Sequence, residues 1–260
     1  RGGGGNFGVA TGFEFQLHPM NPTVIAGDII WSDKDLHRVL EFYGGDGDKM
    51  PEPLNMNLSV KSSPDIGRTV AIEVVWSGDH DLAEAALAPL RKLGNPIVDN
   101  LAPVPYAQFQ KRGDNSNRHG IYSYMKSSFI NEMPSALIEA VDEATSPGAP
   151  YYVFFMQAGG AVRRLAPSDT AFPHRAAHSN MMVISGWEDP IDPTDNIAVV
   201  RSAWGPLEPY TSGFYTNLMD ADEKKTHSNY GDNYGRLVEV KNRYDPGNLF
   251  RLNANIRPSA

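Results

Sequence analysis

The chain has 260 residues, 41% of them apolar, enough to bury a sizeable core in one large domain or two small ones. Its formal net charge is −8, from 31 acidic against 23 basic residues, which argues against a nucleic-acid binder with a basic face. It contains no cysteine, so disulfides, thiolate nucleophiles and cysteine-ligated metals are excluded within these residues, and no apolar run reaches the roughly 18 residues of a membrane-spanning helix.

A glycine-rich opening leads into residues 13–17, where Phe13, Phe15 and Leu17 alternate with Glu14 and Gln16, the period of a half-buried strand. Residues 23–31 read as another strand. Residues 33–43 carry Leu36, Val39 and Leu40 at helical spacing, and residues 44–53, rich in Gly, Asp and Pro, break the chain. Residues 57–62 and 69–76 read as consecutive strands joined by a turn at Pro64, Asp65 and Gly67. Residues 82–93 carry a helical pattern with Pro89 inside it, where a kink is expected. Residues 100–116 read as irregular, 122–130 as a strand, 133–144 as a helix, and 151–157 and 180–187 as apolar strands. A helix is expected over 195–204 and a last one over 229–244, ended by Asp245, Pro246 and Gly247. Strands and helices follow one another without regular βαβ alternation. That order predicts an α+β fold, a large antiparallel sheet with helices over one face.

Four segments have the residue types for chemistry. Gly2, Gly3, Gly4 and Gly5 precede Asn6, Phe7, Gly8 and Val9. Glycines let backbone amides approach a flat or anionic ligand closely, although such a run serves equally as a linker. Phe172, Pro173, His174 and Arg175 form the second segment, which as a pair of polar residues is also an ordinary solvated turn. Tyr215, Thr216 and Asn217 form the third, uninformative alone. The fourth runs from Tyr230 to Arg251 and reads equally as a terminal helix docked on a sheet. No His-x-x-x-His metal pattern on a helix, Gly-x-Ser-x-Gly elbow or phosphate loop accompanies them; His174 and His178 are four apart but lack an acidic third ligand.

In their order and spacing these segments resemble the berberine-bridge-enzyme-like family of FAD-linked oxidases. The resemblance rests on Arg1 to Val9 followed by His18-Pro19, on Pro105-Tyr106, Gln110 and Lys126 to Phe129, and on Gly159 to Val162 with Ala171 to Arg175. It rests most on Tyr215-Thr216-Asn217, Tyr230 to Leu237 and Lys241 to Phe250. It covers essentially the whole chain. It implies that residues 1–20 end a flavin domain, 21–212 form the sheet-bearing substrate domain, and 213–260 return to the flavin domain. It further implies a chain cut upstream, so that the missing N-terminal flavin-domain portion, with any covalent attachment residue, lies outside it, and the fragment alone is expected to be inactive.

The activity implied is oxidation of a small-molecule alcohol, sugar or related C–H centre by hydride transfer to FAD, with O2 reoxidising the flavin and no nucleic acid or membrane as partner. Gly3, Gly4, Gly5, Asn6, Phe7, Gly8, Val9, Tyr215 and Asn217 are the implied cofactor contacts. The family's catalytic-base positions are not matched in this chain. Leu218 stands where several members have a tyrosine, Met181 where others have a glutamate, and Ala254 replaces a glutamine. Tyr124, His178 and Tyr215 are the remaining candidates, as residue types able to take a proton. Leu218 and Met181 also leave open a non-catalytic, ligand-binding relative that keeps the fold without the base.

Overall fold

The computed structural model describes residues 2–188, 192–218, 223–252 and 254–259. Arg1, at the head of the glycine run, lies outside them. In chain order the elements are β1 (Thr23–Ser32), α1 (Leu36–Gly44), β2 (Leu54–Ser63), β3 (Gly67–Trp76), α2 (His80–Arg91), β4 (Pro96–Asp99) and β5 (Ala102–Pro105). They continue with α3 (Tyr106–Gln110), β6 (Tyr122–Ile130), α4 (Ser135–Ala144), β7 (Tyr152–Gln157), β8 (Ser179–Trp187), α5 (Thr194–Trp204), α6 (Glu223–Tyr230) and α7 (Tyr234–Tyr244).

All eight strands belong to one sheet of order β4-β1-β3-β2-β7-β8-β6, with β5 also paired to β1. Every pairing is antiparallel. The α+β expectation therefore holds. The period-two alternation of the strands sorts the sheet into two unlike faces. Ile29 and Trp31, Leu58 and Val60, Val70, Ile72 and Val74, Val153 and Phe155, and Met181 and Val183 are all fully buried on one face. α1, α2, α4 and α5 cover that face. α1 does so through Leu36, Val39, Leu40 and Tyr43, the i, i+3, i+4, i+7 spacing of one helical stripe. Each large apolar side chain taken out of water here contributes roughly 1.5–3 kcal/mol. Among the described residues one short helix lies on the other side: α3 packs Phe109 against Val24 and Ala26 at the β1 edge.

Several details differ from the sequence reading. Residues 13–17 have no regular secondary structure, and Phe13, Phe15 and Leu17 are each at least 75% exposed. Their alternation records two faces of an extended segment, but among the described residues no strand pairs with it. Residues 100–116 hold β5 and α3 rather than only irregular chain. α2 begins at His80 behind Asp79, whose carboxylate accepts the Asp81 amide as an N-cap at 3.1 Å, and it runs through Pro89 to Arg91. The last helix is two: Gly231, at φ 48°, falls in a 3₁₀ turn between α6 and α7. Among the described residues no helix is long and apolar enough to cross a membrane.

Candidate functional site

The face of the sheet away from the main helix layer meets the glycine-rich opening and the segment after α5. Between them is a cavity of about 1000 Å³, at the upper end of the size of small-molecule sites. Phe129 of β6, Met156 and Gln157 of β7 and Asn180 of β8 form its sheet wall. Gly2 to Gly5, Asn6, Phe7 and Gly8 form another, and Phe172, Arg175, Tyr215, Thr216 and Asn217 complete it. Three segments that were individually uninformative thus converge on one space.

The glycine wall is conformationally specific. Gly2 sits at φ 90° and Gly4 at φ 60°, where a side chain is strained. A Cβ on Gly2 would lie 2.7 Å from the Phe172 side chain, and one on Gly4 would lie 3.1 Å from the Tyr230 hydroxyl. Bare backbone therefore faces the cavity.

The wall is held from behind by the end of the chain. The Asn6 side-chain amide donates to the Gly3 and Ala254 carbonyls, each at 2.9 Å, and its oxygen accepts the Ile256 amide at 2.8 Å. Lys241 is fully buried, and its three ammonium protons have three acceptors: Asn6 O at 2.8 Å, Asp245 Oδ2 at 2.6 Å and Phe250 O at 2.7 Å. The bond from Lys241, with the amides of Phe250 and Leu249, holds the Asp245 carboxyl down at about 2. Tyr230, Leu237 and Ile256 pack with Phe7 into an apolar cluster of their own, apart from the main core. The Tyr230 hydroxyl is buried without a hydrogen-bond partner, and burial pushes its pKa up to about 12, so it stays a neutral donor.

The Phe172–Arg175 segment packs under Tyr215. His174 stacks on Phe129 with ring centroids 4.7 Å apart, and Phe129 lies 6.3 Å from the Tyr215 ring. His174 Nε2 is 2.9 Å from Asn229 Oδ1, which also accepts the Phe214 amide at 2.7 Å. A carboxamide oxygen only accepts, so Nε2 carries the proton, and burial lowers the His174 pKa toward the neutral ring. Arg175 spends its two terminal nitrogens on Val162 O at 3.1 Å and Thr170 Oγ1 at 2.5 Å while its guanidinium lies over the Phe172 ring.

The expected site residues separate under this geometry. Gly3, Gly4, Gly5, Asn6, Phe7, Gly8, Tyr215 and Asn217 line the cavity; Val9, next in sequence, is 77% exposed and outside the lining. Asn6 contributes its place rather than its amide, which is engaged behind the wall. Asn217 Nδ2 donates to the Tyr215 hydroxyl at 3.2 Å. His178 and Tyr124 are not brought to the cavity. His178 is buried edge-on to Tyr43 of α1, with Nε2 3.1 Å from the Tyr43 carbonyl. Tyr124 packs against the helix-covered core, its hydroxyl accepting from Arg201 of α5 at 3.2 Å. Met181 is likewise a core residue; its neighbours Asn180 and Met182 are the positions that alternate to the other face. Leu218 closes a turn through its amide to Tyr215 O at 3.0 Å. Asn180 and Met156 were not singled out as site residues. The one available signal was a polar residue opening an apolar strand.

Similarity to known proteins follows the same segments. The family described as "Berberine and berberine like" matches residues 214–257. An FAD-linked oxidoreductase of Dictyostelium discoideum is 28% identical across 99% of this chain and 57% of its own length. The chain is thus similar to FAD-linked oxidoreductases of the berberine-bridge-enzyme-like family. A chitooligosaccharide oxidase of Gibberella zeae is 26% identical over 100% of this chain and 58% of its own. Among solved structures, a 6-hydroxy-D-nicotine oxidase of Arthrobacter nicotinovorans superposes with a TM-score of 0.80 at 24% identity, covering 100% of this chain and 60% of that one. The chain thus spans a little under three fifths of the curated relatives named here. The family's cofactor is FAD, and the residues present fit one edge of such a group: a side-chain-free wall that any Cβ at Gly2 or Gly4 would disturb, with an unpartnered buried hydroxyl beneath it.

Proposed function

We propose that the whole protein is an FAD-dependent oxidase that takes hydride from an alcohol, sugar or related C–H centre of a small molecule, with O2 as final acceptor. The observation that carries this reading is the meeting of the glycine wall, Tyr215 and Asn217 with one face of the sheet around a single cavity. FAD, when bound, supplies the two-electron acceptor that no side chain of this chain provides. Gly3, Gly4, Gly5, Phe7, Gly8 and Asn217 would hold it.

The domain reading stays with the proposal. Residues 1–20 and 213–260 belong to the flavin side, and residues 21–212 form the substrate side. The separate apolar cluster of Phe7, Tyr230, Leu237 and Ile256 and the Asn6–Lys241–Asp245 network support that division.

Tyr215 handles the proton. Among the described lining residues it and Arg175 are the ionisable ones, and a guanidinium offers donors but no acceptor. The Asn217 amide donates to the Tyr215 oxygen and so holds it in place to handle a substrate hydroxyl proton.

A second reading, a ligand-binding relative without turnover, is favoured by the lining itself. Among the described residues it holds no carboxylate or imidazole, and Leu218 is aliphatic. The visible spectrum of the full-length protein and anaerobic addition of alcohols and sugars test both. A flavin band bleached by one of them is the expected result. A stable band that none of them bleaches favours the binding-only reading, and a colourless protein sinks both.

A further inference from the structure

Four carboxamide side chains line the cavity: Asn6, Gln157, Asn180 and Asn217. Three are engaged within the protein. Asn6 is tied to Gly3, Ala254 and Ile256. Gln157 Oε1 accepts the Met56 amide at 2.7 Å and the Asn55 side chain at 3.4 Å. Asn217 donates to Tyr215. Asn180 differs. It is 3% exposed, and neither its side-chain oxygen nor its nitrogen has a hydrogen-bond partner. Because both atoms are free, exchanging them would leave the observation unchanged.

Its two cross-strand partners supply no polar side chain. On β7 it faces Met156 and on β6 Phe129, and both of these line the cavity with it. A buried amide with both ends unmet is among the costlier things a fold can hold, and such groups in native proteins call for a reason. A ligand in the cavity provides one if it brings a donor and an acceptor side by side.

We propose that Asn180 is a substrate-selecting residue: its carboxamide, left open on the sheet wall of the cavity, binds a neutral substrate group carrying an adjacent donor and acceptor, either vicinal hydroxyls or a carboxamide. This rests on the oxidase reading for the word substrate and deepens it by naming the chemistry recognised. A neutral group is specified because the amide that recognises it carries no charge; Arg175, elsewhere in the lining, lies over Phe172 with its terminal nitrogens on Val162 and Thr170. A purely apolar ligand would bury the amide unmet and is disfavoured by the same logic that lets a polar pocket reject an analogue lacking a hydroxyl.

The test compares full-length wild type with Asn180→Leu, which keeps the volume and removes both polar atoms. Binding is measured by calorimetry with D-glucose, which carries vicinal hydroxyls, N-acetyl-D-glucosamine, which adds a carboxamide, and cyclohexanol, which has one isolated hydroxyl. The expected result is a 10- to 100-fold weaker affinity for the sugars, a change under threefold for cyclohexanol, and a melting temperature equal to or above that of wild type. A melting temperature lowered by more than about 3 °C would assign the amide to the fold and overturn the proposal. So would unchanged sugar affinity, or no sugar binding to wild type. Lower flavin content or a shifted flavin band in the ligand-free variant would assign the amide to the cofactor instead, which also overturns it. Calorimetry needs no flavin chemistry, so a protein that binds sugars through Asn180 yet bleaches with none of them defeats the oxidase reading alone.

Discussion

The two faces of the sheet are made by the same strands and obey different rules. On the helix-covered face, Leu58, Ile72, Phe155 and Val183 have no exposure and leave no room for anything but each other. On the other face, one row of register partners runs from Asp28 through Glu73 to Asn57, and Asn180 with Phe129 stands at the cavity end. Glu73 accepts from Asn57 at 3.2 Å, and Arg112 pairs with Asp28. The contrast teaches where this fold keeps its stability and where it keeps its chemistry. Asp28, Glu73, Asn57 and Asn180 stand on the face that the main helix layer does not seal, and that is what lets a ligand meet Asn180.

The sharpest test uses adjacent residues of β7. Phe155→Ala empties the covered face and should cost about 3–5 kcal/mol of unfolding free energy. Phe154→Ala, one residue away and half-buried on the other face, should cost about 1 kcal/mol, as urea denaturation will show. Equal costs would break the comparison. Next in size, Tyr215→Phe in the full-length protein should slow flavin reduction by substrate at least about 100-fold while the melting temperature holds. A rate near wild type would remove Tyr215 as the proton acceptor.

The third test concerns acid. The Asp245 carboxyl is depressed from 3.8 to about 2 by Lys241 and two backbone amides. A group depressed in the folded state contributes fully above its unfolded pKa and loses that contribution as pH falls through the folded one. Hydrogen-exchange protection of residues 3–6 should therefore be constant above about pH 4 and decline between about pH 4 and 2. Lys241→Met should abolish that dependence and lower the protection at neutral pH. The smallest effect is expected from Tyr124→Phe, which should stay within about 0.5 kcal/mol and leave turnover unchanged, because among the described residues that hydroxyl meets only Arg201, at the edge of the helix layer.

The strands and most helices were legible because burial on one face imposes its period on the sequence. Val70, Ile72, Val74 and Trp76 advertise β3 without any tertiary knowledge. Facing was not legible. In the run Asn180, Met181, Met182 no local rule says which parity meets the helices, and the family likeness placed attention on Met181, which is core. Residues 13–17 fail for the complementary reason: alternation describes a segment's two sides and says nothing of whether another strand lies beside it. His178 was chosen for its chemistry, yet its place beneath Tyr43 depends on a contact across 135 positions that only the fold reveals. The convergence of the glycine run, Phe172–Arg175 and Tyr215–Asn217 was foreshadowed by likeness alone, since nothing in their spacing brings them together.

One consequence of the buried lysine concerns the order in which the molecule is made. Lys241 reaches Asn6 across 235 positions, and Ile256 reaches it across 250. The sheet closes its hairpins over far shorter spans, β2 to β3 through a single turn. Closing the long loop forfeits more chain entropy and has fewer nearby contacts to offset it, so the glycine wall is expected to be the last part to set. The cavity would then exist only in molecules that have finished folding. Pulse-labelling exchange should find the amides of β2 and β3 protected before those of residues 3–6, and simultaneous protection would show the ends joined from the start.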